Sequence, residues 1–313
     1  MAIVKLFSGT SNLPLAQKVA ESMGIPLSKS EVVRFDDSEV RVRIGEDVKH
    51  TTAIVIQSTA NPTDTNLMEF FFFCDALRRN EAHKVIGVIP YFGYARQDIQ
   101  HRPGESISAN VVIRFIESIG FRKIYVYDLH DEATEGVFSI AFKNATTLQL
   151  LAEKVREYLK DGLDEEHVAI VSPDQGGIER ARRFGQFFLQ KQGFPLVVIE
   201  KRRNMDKIHV TEALDIYGDV AGKTVILVDD IVTSGNTLIN AVELCIEKGA
   251  KRVIAAIAHA DLSTKAPERI QSSSIERFFT TDSILLKKEL SFPKLQQISI
   301  APLIANELKT FLK

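Results

Sequence analysis

The stretch VILVDDIVTSGNT, residues 225–237, passes from an apolar run into two adjacent carboxylates, Asp229 and Asp230, and then into small residues, Thr233-Ser234-Gly235-Asn236-Thr237. An apolar run without polar interruption marks a strand covered on both faces. The residues that follow, LINAVELCIEKG, carry apolar positions at helical spacing and stop at Gly249. A strand that ends in a small-residue loop opening a helix presents backbone N–H groups and the helix's positive end to an anion. Thr233, Ser234 and Thr237 add hydroxyl donors. Two carboxylates do not serve that anion themselves. They face a neighbouring part of the same ligand that offers donors, and vicinal sugar hydroxyls fit, met directly or around Mg2+. A phosphorylated ribose is the expected ligand. Just upstream, GDVAGKT at 218–224 imitates a nucleotide phosphate loop, but it is one residue short and precedes the strand where such a loop follows it.

Outward from this stretch, strand-like runs alternate with helix-like ones: AIVIQ, KVIGVIPY, KIYVYDL, VAIVSP, LVVIEK, TVILVDD and RVIAAIAHA. Such alternation predicts an α/β fold with parallel sheet and helical crossovers. Two segments read as copies of one unit, since KHTTAIVIQSTANPTDTNLMEFFFFCDALRRNEAHKVIGVIPY and GKTVILVDDIVTSGNTLINAVELCIEKGAKRVIAAIAHA share the order strand, loop, helix, turn, strand. The first copy has QSTANPTDTN where the second has DDIVTSGNT, so the acidic pair and the chemistry are expected on the second. The expected domains are 1–150 and 151–295, with a break near 148–165 at LQLLAEKVREYLKDGLDEEH. A C-terminal helix over about 296–313 is expected to pack back onto the first domain.

A chain of 313 residues accommodates about two domains. With 45% hydrophobic and 26% charged residues it has the balance of a globular protein rather than a disordered one. A net charge of -2 argues against nucleic-acid binding through bulk charge and leaves small acidic ligands open. No signal peptide is expected from MAIVKLFSGT, and LMEFFFFCDAL at 67–77 is too short to span a bilayer and contains Glu69 and Asp75. Cys74 and Cys245 lie far apart in helical pattern, so neither a disulfide nor a zinc site is expected, and a reducing cytoplasm fits. The run Phe70 to Phe73 covers all sides of a helix and reads as core on one side with a sheet or subunit contact on the other.

VDDIVTSGNT resembles the phosphoribosyl-binding signature of phosphoribosyltransferases, which is shared with the ribose-phosphate pyrophosphokinase family. FDDSE at 35–39, PYFGYARQD at 90–98, DLH at 128–130, SPDQGG at 172–177 and EKRR at 200–203 resemble the second family, in its order and spacing, over almost the whole chain. The resemblance implies two tandem phosphoribosyltransferase-like domains, each a mainly parallel sheet flanked by helices. It also implies an enzyme that makes phosphoribosyl pyrophosphate (PRPP) and AMP from ATP and ribose 5-phosphate, with Mg2+, for nucleotide biosynthesis.

EKRRNMDKI follows an apolar run and is expected to place Lys201, Arg202 and Arg203 on a mobile loop, although such a run taken alone is more often a solvated surface. Cations that swing over a polyphosphate neutralise charge as the phosphoryl group moves. By resemblance Lys201 is catalytic, and Arg203 supports it while touching the ribose phosphate. Ribose 5-phosphate is then held by Arg203, Asp229, Asp230, Thr233, Ser234, Gly235, Asn236 and Thr237. Arg96 and Gln97 match the family's ATP-contacting pair. Phe35, Asp37 and Glu39 offer an aromatic face and two acceptors suited to adenine, while FDDSEV by itself reads as a surface hairpin. In the family this loop reaches ATP in a neighbouring subunit, which implies a homo-oligomer, dimer-based or hexameric, with the ATP site near a subunit interface. The resemblance also makes His130 and Asp174 the Mg2+ contacts, the histidine being a minor or water-mediated ligand in an oxygen-rich shell.

The chain departs from the commonest form of the family at places tied to regulation. That form continues RQD with basic residues, where this chain has Ile99-Gln100, and follows DLH with AxQIQGFF, where this chain has Asp131-Glu132-Ala133-Thr134-Glu135-Gly136-Val137-Phe138. Its phosphate loop typically has Asp-Thr in place of Thr233-Ser234. Activity without strict dependence on inorganic phosphate is expected. The competing readings are a catalytically silent regulatory subunit of the same family and a phosphoribosyltransferase, for which no base pocket is visible.

Overall fold

The computed structural model describes residues 3–160, 165–203 and 211–312, those at 165, 201–203 and 211–214 by backbone alone. Every strand-like run read from the sequence forms a strand, and the chain divides into two compact units. The first holds residues 1–146, 283–285 and 299–313, and the second holds 147–282 and 286–298.

In the first unit β1 (Val4–Ser8), β4 (Thr52–Ile56), β5 (Lys84–Ile89), β6 (Lys123–Tyr127) and β7 (Ala141–Ala145) form a five-stranded sheet in the order β1-β4-β5-β6-β7, parallel throughout. Successive strand residues point to opposite faces. Phe7, Val55, Val85 and Val126 thus pack with α2 (Thr63–Arg79) and α3 (Ser108–Ile119), while Leu6, Ile54, Ile86 and Tyr125 are buried on the other side. Helix α2 closes tightly on the sheet because β5 offers Gly87 there; a Cβ would stand 2.5 Å from Phe70 Cζ. Phe70 stacks on Phe121 with centroids 4.3 Å apart, and Phe71 and Phe73 are also buried, leaving Phe72 as the exposed member of the run.

Two helices complete this unit, α1 (Leu13–Met23) and α8 (Ala301–Leu312). Helix α8 buries Ile304 and Leu308, sets Phe311 edge-on to Tyr125, and ties Lys309 Nζ to Ser22 O at 2.6 Å. A separate antiparallel hairpin, β2 (Ser30–Arg34) with β3 (Val40–Ile44), carries FDDSE at its tip.

The second unit is built on a seven-stranded sheet in the order β10-β9-β8-β11-β12-β13-β14. Its strands are β8 (Val168–Ser172), β9 (Leu196–Arg203), β10 (Thr211–Tyr217), β11 (Thr224–Val232), β12 (Arg252–Ala260), β13 (Ile275–Thr281) and β14 (Leu295–Ile298). All neighbours are parallel except β9 and β10. In β11, Val225 and Leu227 join a core with α6 (Asn236–Glu247) and α7 (Ala266–Ser272). Ile226 and Val228 join a second core with α4 (Leu148–Leu159) and α5 (Ile178–Leu189). The unbroken apolar run is thus explained, since both faces of β11 are covered.

One expectation is corrected. Lys201, Arg202 and Arg203 are the last residues of β9 and not a loop. Strand β8 pairs with β9 only from Leu196 to Val198, so the rest of β9 extends beyond it as a ribbon with β10, Lys201 opposite Ala213 and Arg203 opposite Thr211. Basic residues have low strand propensity and read as loop locally. Here the hydrogen bonds of the partner strand decide the conformation. The rest of the basic segment, residues 204–210, lies outside the described residues.

Candidate active site

Asp229 and Asp230 stand near the end of β11, past the last pairing with β8 at Leu227 and Val171. Beyond Val232 the chain turns through Thr233 and Ser234 into Gly235, which adopts the left-handed conformation (φ 79°) and caps α6. Glycine takes this conformation without the cost of a Cβ. Asn236 and Thr237 are exposed on the first turn of α6, where N–H groups lack intrahelical partners. The loop is held from outside: Ser263 N donates to Thr233 O at 3.1 Å, Asp261 N to Val232 O at 3.0 Å, and Arg269 Nη1 to Asn236 Oδ1 at 2.8 Å. Donors and a helix's positive end are therefore presented together beside two carboxylates.

Those carboxylates are crowded. Asp230 is buried, its N–H donates to Asp229 Oδ1 at 2.9 Å, and Arg180 Nη1 lies 3.6 Å from Asp229 and 3.3 Å from Asp230. Burial first, and Asp230 second, push the Asp229 carboxyl up to about 8, while Arg180 opposes the rise. Sequence reasoning missed Arg180 and Arg269. A basic residue in the first turn of α5, against the helix dipole, was the available signal for Arg180.

Asp174 lies in the turn between β8 and α5, where its Oδ1 accepts from Gly177 N at 3.0 Å and its carbonyl accepts from Ser172 Oγ at 2.6 Å. A Cβ at Gly177 would come within 2.8 Å of that hydroxyl and displace it. The Asp174 charge is felt at Asp229. His130 belongs to the other unit and follows β6, where Asp128 (φ 44°) accepts from Thr146 Oγ1 at 2.8 Å and Leu129 N donates to Asn144 Oδ1 at 3.1 Å.

In the first unit Phe35 is half exposed at the hairpin tip, with the Arg41 guanidinium 5.6 Å from its ring centre. Asp37 Oδ1 accepts from Glu39 N at 3.1 Å, and Glu39 O accepts from Phe35 N at 2.9 Å, so Asp37 also shapes the turn. Arg96 and Gln97 are exposed in the turn after β5, and Gln97 Oε1 accepts from Ser108 Oγ at 2.7 Å. In the corresponding segment of this unit, which begins at Gln57, the first residue is engaged by neighbouring polar groups. Gln57 Oε1 accepts from Ser11 Oγ at 2.7 Å, and buried Glu69 accepts from Thr10 N at 2.5 Å, Thr10 Oγ1 at 2.7 Å and Gln57 Nε2 at 3.2 Å.

Comparison with known proteins gives concordant results. Residues 4–120 match the family described as the N-terminal domain of ribose phosphate pyrophosphokinase, and residues 142–282 match the phosphoribosyl transferase domain. The chain is 42% identical to ribose-phosphate pyrophosphokinase of Thermosipho africanus over 97% of its own length and 93% of that protein. It is 40% identical to ribose-phosphate pyrophosphokinase 1 of Streptococcus pyogenes over the same shares. Among solved structures it is similar to phosphoribosylpyrophosphate synthetase from Mycobacterium smegmatis, with a TM-score of 0.90, 32% identity and 99% of each chain covered.

Proposed function

The chain belongs to the ribose-phosphate pyrophosphokinase family, and from that premise we propose how its residues carry the reaction. It is an enzyme that makes PRPP and AMP from ATP and ribose 5-phosphate. The anomeric hydroxyl oxygen attacks the β-phosphorus of Mg-ATP and the bond from that phosphorus to the α,β-bridging oxygen breaks. AMP leaves with the bridging oxygen, and the hydroxyl proton is released.

The observation that carries the reading is the continuous unit β11, loop and α6. Thr233 to Thr237 take the 5-phosphate, and Asp229 and Asp230 take the sugar hydroxyls. Lys201 and Arg203, on the ribbon that extends past the sheet, stabilise the migrating charge, and Arg203 also meets the ribose phosphate. In the first domain Arg96 and Gln97 contact ATP, and Phe35, Asp37 and Glu39 receive adenine.

No group of three or more histidine, cysteine, aspartate or glutamate side chains is placed to hold a metal among the described residues. Asp174, whose charge is felt at Asp229, instead fits a site where substrate and water oxygens would supply most of the ligands, as Mg2+ prefers. Bound with ATP, Mg2+ would neutralise charge on the polyphosphate. Asp174 is the group of the second domain that would hold it.

The exposed rings of Phe72 and Phe115 on α2 and α3 support a homo-oligomer. Among the described residues no helix is long and apolar enough to cross a membrane, and Cys74 and Cys245 are free and buried, which supports a cytoplasmic enzyme. The decisive experiment mixes purified protein with ATP, Mg2+ and ribose 5-phosphate. AMP and PRPP appear together if the reading holds, and binding of both substrates without turnover marks a silent subunit. Light scattering of the same sample gives the oligomer mass.

A further inference from the structure

Consecutive side chains of a strand point to opposite faces, so two adjacent carboxylates diverge unless a third group gathers them. In β11 that group comes from outside the strand. The ladder with β8 ends at Leu227, and the flank beyond it is taken by the turn after β8 and the first turn of α5. Arg180, the third residue of α5, reaches across this flank and shares one guanidinium nitrogen, Nη1, between Asp229 at 3.6 Å and Asp230 at 3.3 Å. Its side chain is only 12% exposed. A cation in a helix's first turn opposes the helix dipole, so neither local helix stability nor solvation accounts for arginine at this position.

We propose that Arg180 is a positioning residue for ribose 5-phosphate, which holds Asp229 and Asp230 side by side so that both present oxygen acceptors to adjacent sugar hydroxyls. The assignment rests on the pyrophosphokinase reading of the same site. Arg180 itself touches the carboxylates and not the reacting atoms. Its removal takes away the guanidinium nitrogen that the two carboxyls share, and with it the group that draws them to one point. The geometry for the sugar is lost while that for ATP is kept.

The test compares Arg180→Met, which keeps much of the stem without the charge, with Arg180→Lys, which restores one shared nitrogen. Steady-state AMP formation is measured with ribose 5-phosphate and ATP varied separately, and melting temperatures report folding. Arg180→Met is expected to raise the KM for ribose 5-phosphate at least tenfold with the KM for ATP within about twofold, and Arg180→Lys to recover most of the difference. A KM for ribose 5-phosphate unchanged in folded Arg180→Met overturns the assignment. So does an equal rise in both KM values, or a lysine variant no better than methionine. If Arg180→Met does not fold, Arg180→Gln replaces it under the same criteria, and a lysine variant that alone folds and keeps the wild-type ribose 5-phosphate KM supports the shared-cation role. A wild-type chain that releases no AMP with ribose 5-phosphate defeats the underlying reaction, whereas an active wild type with a flat Arg180 series defeats this assignment alone.

Discussion

Arg269 Nη1 donates to Asn236 Oδ1 at 2.8 Å, tying the first residue of α6 to α7, and Ile270 of the same short helix lies beneath Gly235. Loop residues 235 and 236 are thereby held against α7. An exposed hydrogen bond from a charged donor is worth on the order of 1 kcal/mol. Arg269→Ala should therefore raise the KM for ribose 5-phosphate about fivefold, with kcat within twofold. An unaltered KM would show that the loop keeps its shape without this tether.

Lys201 is the residue on which the rate should depend most. If it stabilises charge only as the phosphoryl group moves, Lys201→Ala lowers kcat by about 100-fold, or on the order of 3 kcal/mol, and leaves both KM values nearly unchanged. Near-normal turnover in the variant would remove Lys201 from the mechanism.

Asp229 carries a cost that pH exposes. Burial, then Asp230, raise its carboxyl to about 8 in the folded chain, against about 3.9 when unfolded. Between these values the folded state binds more protons than the unfolded one, so stability falls as pH rises through the window, and the loss is complete above the folded value. Asp229→Asn removes the cost. The substrate-free variant should melt above the wild type, by a margin that grows from pH 5 to pH 9, while its use of ribose 5-phosphate weakens. Melting curves across that range check the sign, and a margin that shrinks with pH contradicts it.

Buried Glu69 organises the turn after β1 through Thr10 and Gln57, and Arg34 lies 3.5 Å from it. Glu69→Ala takes the acceptor from Thr10 N and Thr10 Oγ1 and leaves buried Gln57 Nε2 with Asn66 O, a loss of about 1 kcal/mol for each of the three hydrogen bonds. A loss of roughly 3 kcal/mol or more in urea unfolding is expected. A loss below 1 kcal/mol would mean that the turn rearranges or admits water.

Regulation should differ from that of the commonest form of the family. Ile99 is exposed, Gln100 Nε2 is engaged with Glu105 O at 2.9 Å, and Asp131 caps the short helical turn Glu132–Val137 by accepting from Ala133 N at 2.8 Å. Ile99 and Gln100 supply no cation, and Asp131, Glu132 and Glu135 add carboxylates, whereas a regulatory anion needs cations. The enzyme should work without added phosphate, and ADP should compete with ATP. Initial rates over a grid of phosphate and ADP concentrations test both, and inhibition that saturating ATP fails to relieve would indicate a separate ADP site.

Much of this protein was legible along the chain because its signals are local. The apolar run 225–228, the small residues after Asp230 and the helical spacing after Asn236 each lie within one element, and they form the strand, loop and helix that those patterns dictate. Side-chain periodicity reports burial within an element directly, so the two-domain α/β architecture followed as well. What the tertiary structure alone decided involves partners distant in sequence. Arg180 meets Asp229 and Asp230 only because β8 and β11 are neighbours in the sheet, and Arg269 meets Asn236 only because α7 returns to the loop. Lys201 to Arg203 became strand instead of loop because β10 supplied hydrogen bonds that their own propensity does not predict. Local preference is set by a residue and its near neighbours, whereas these contacts depend on which strands the crossovers bring side by side, and that is a property of the folded chain.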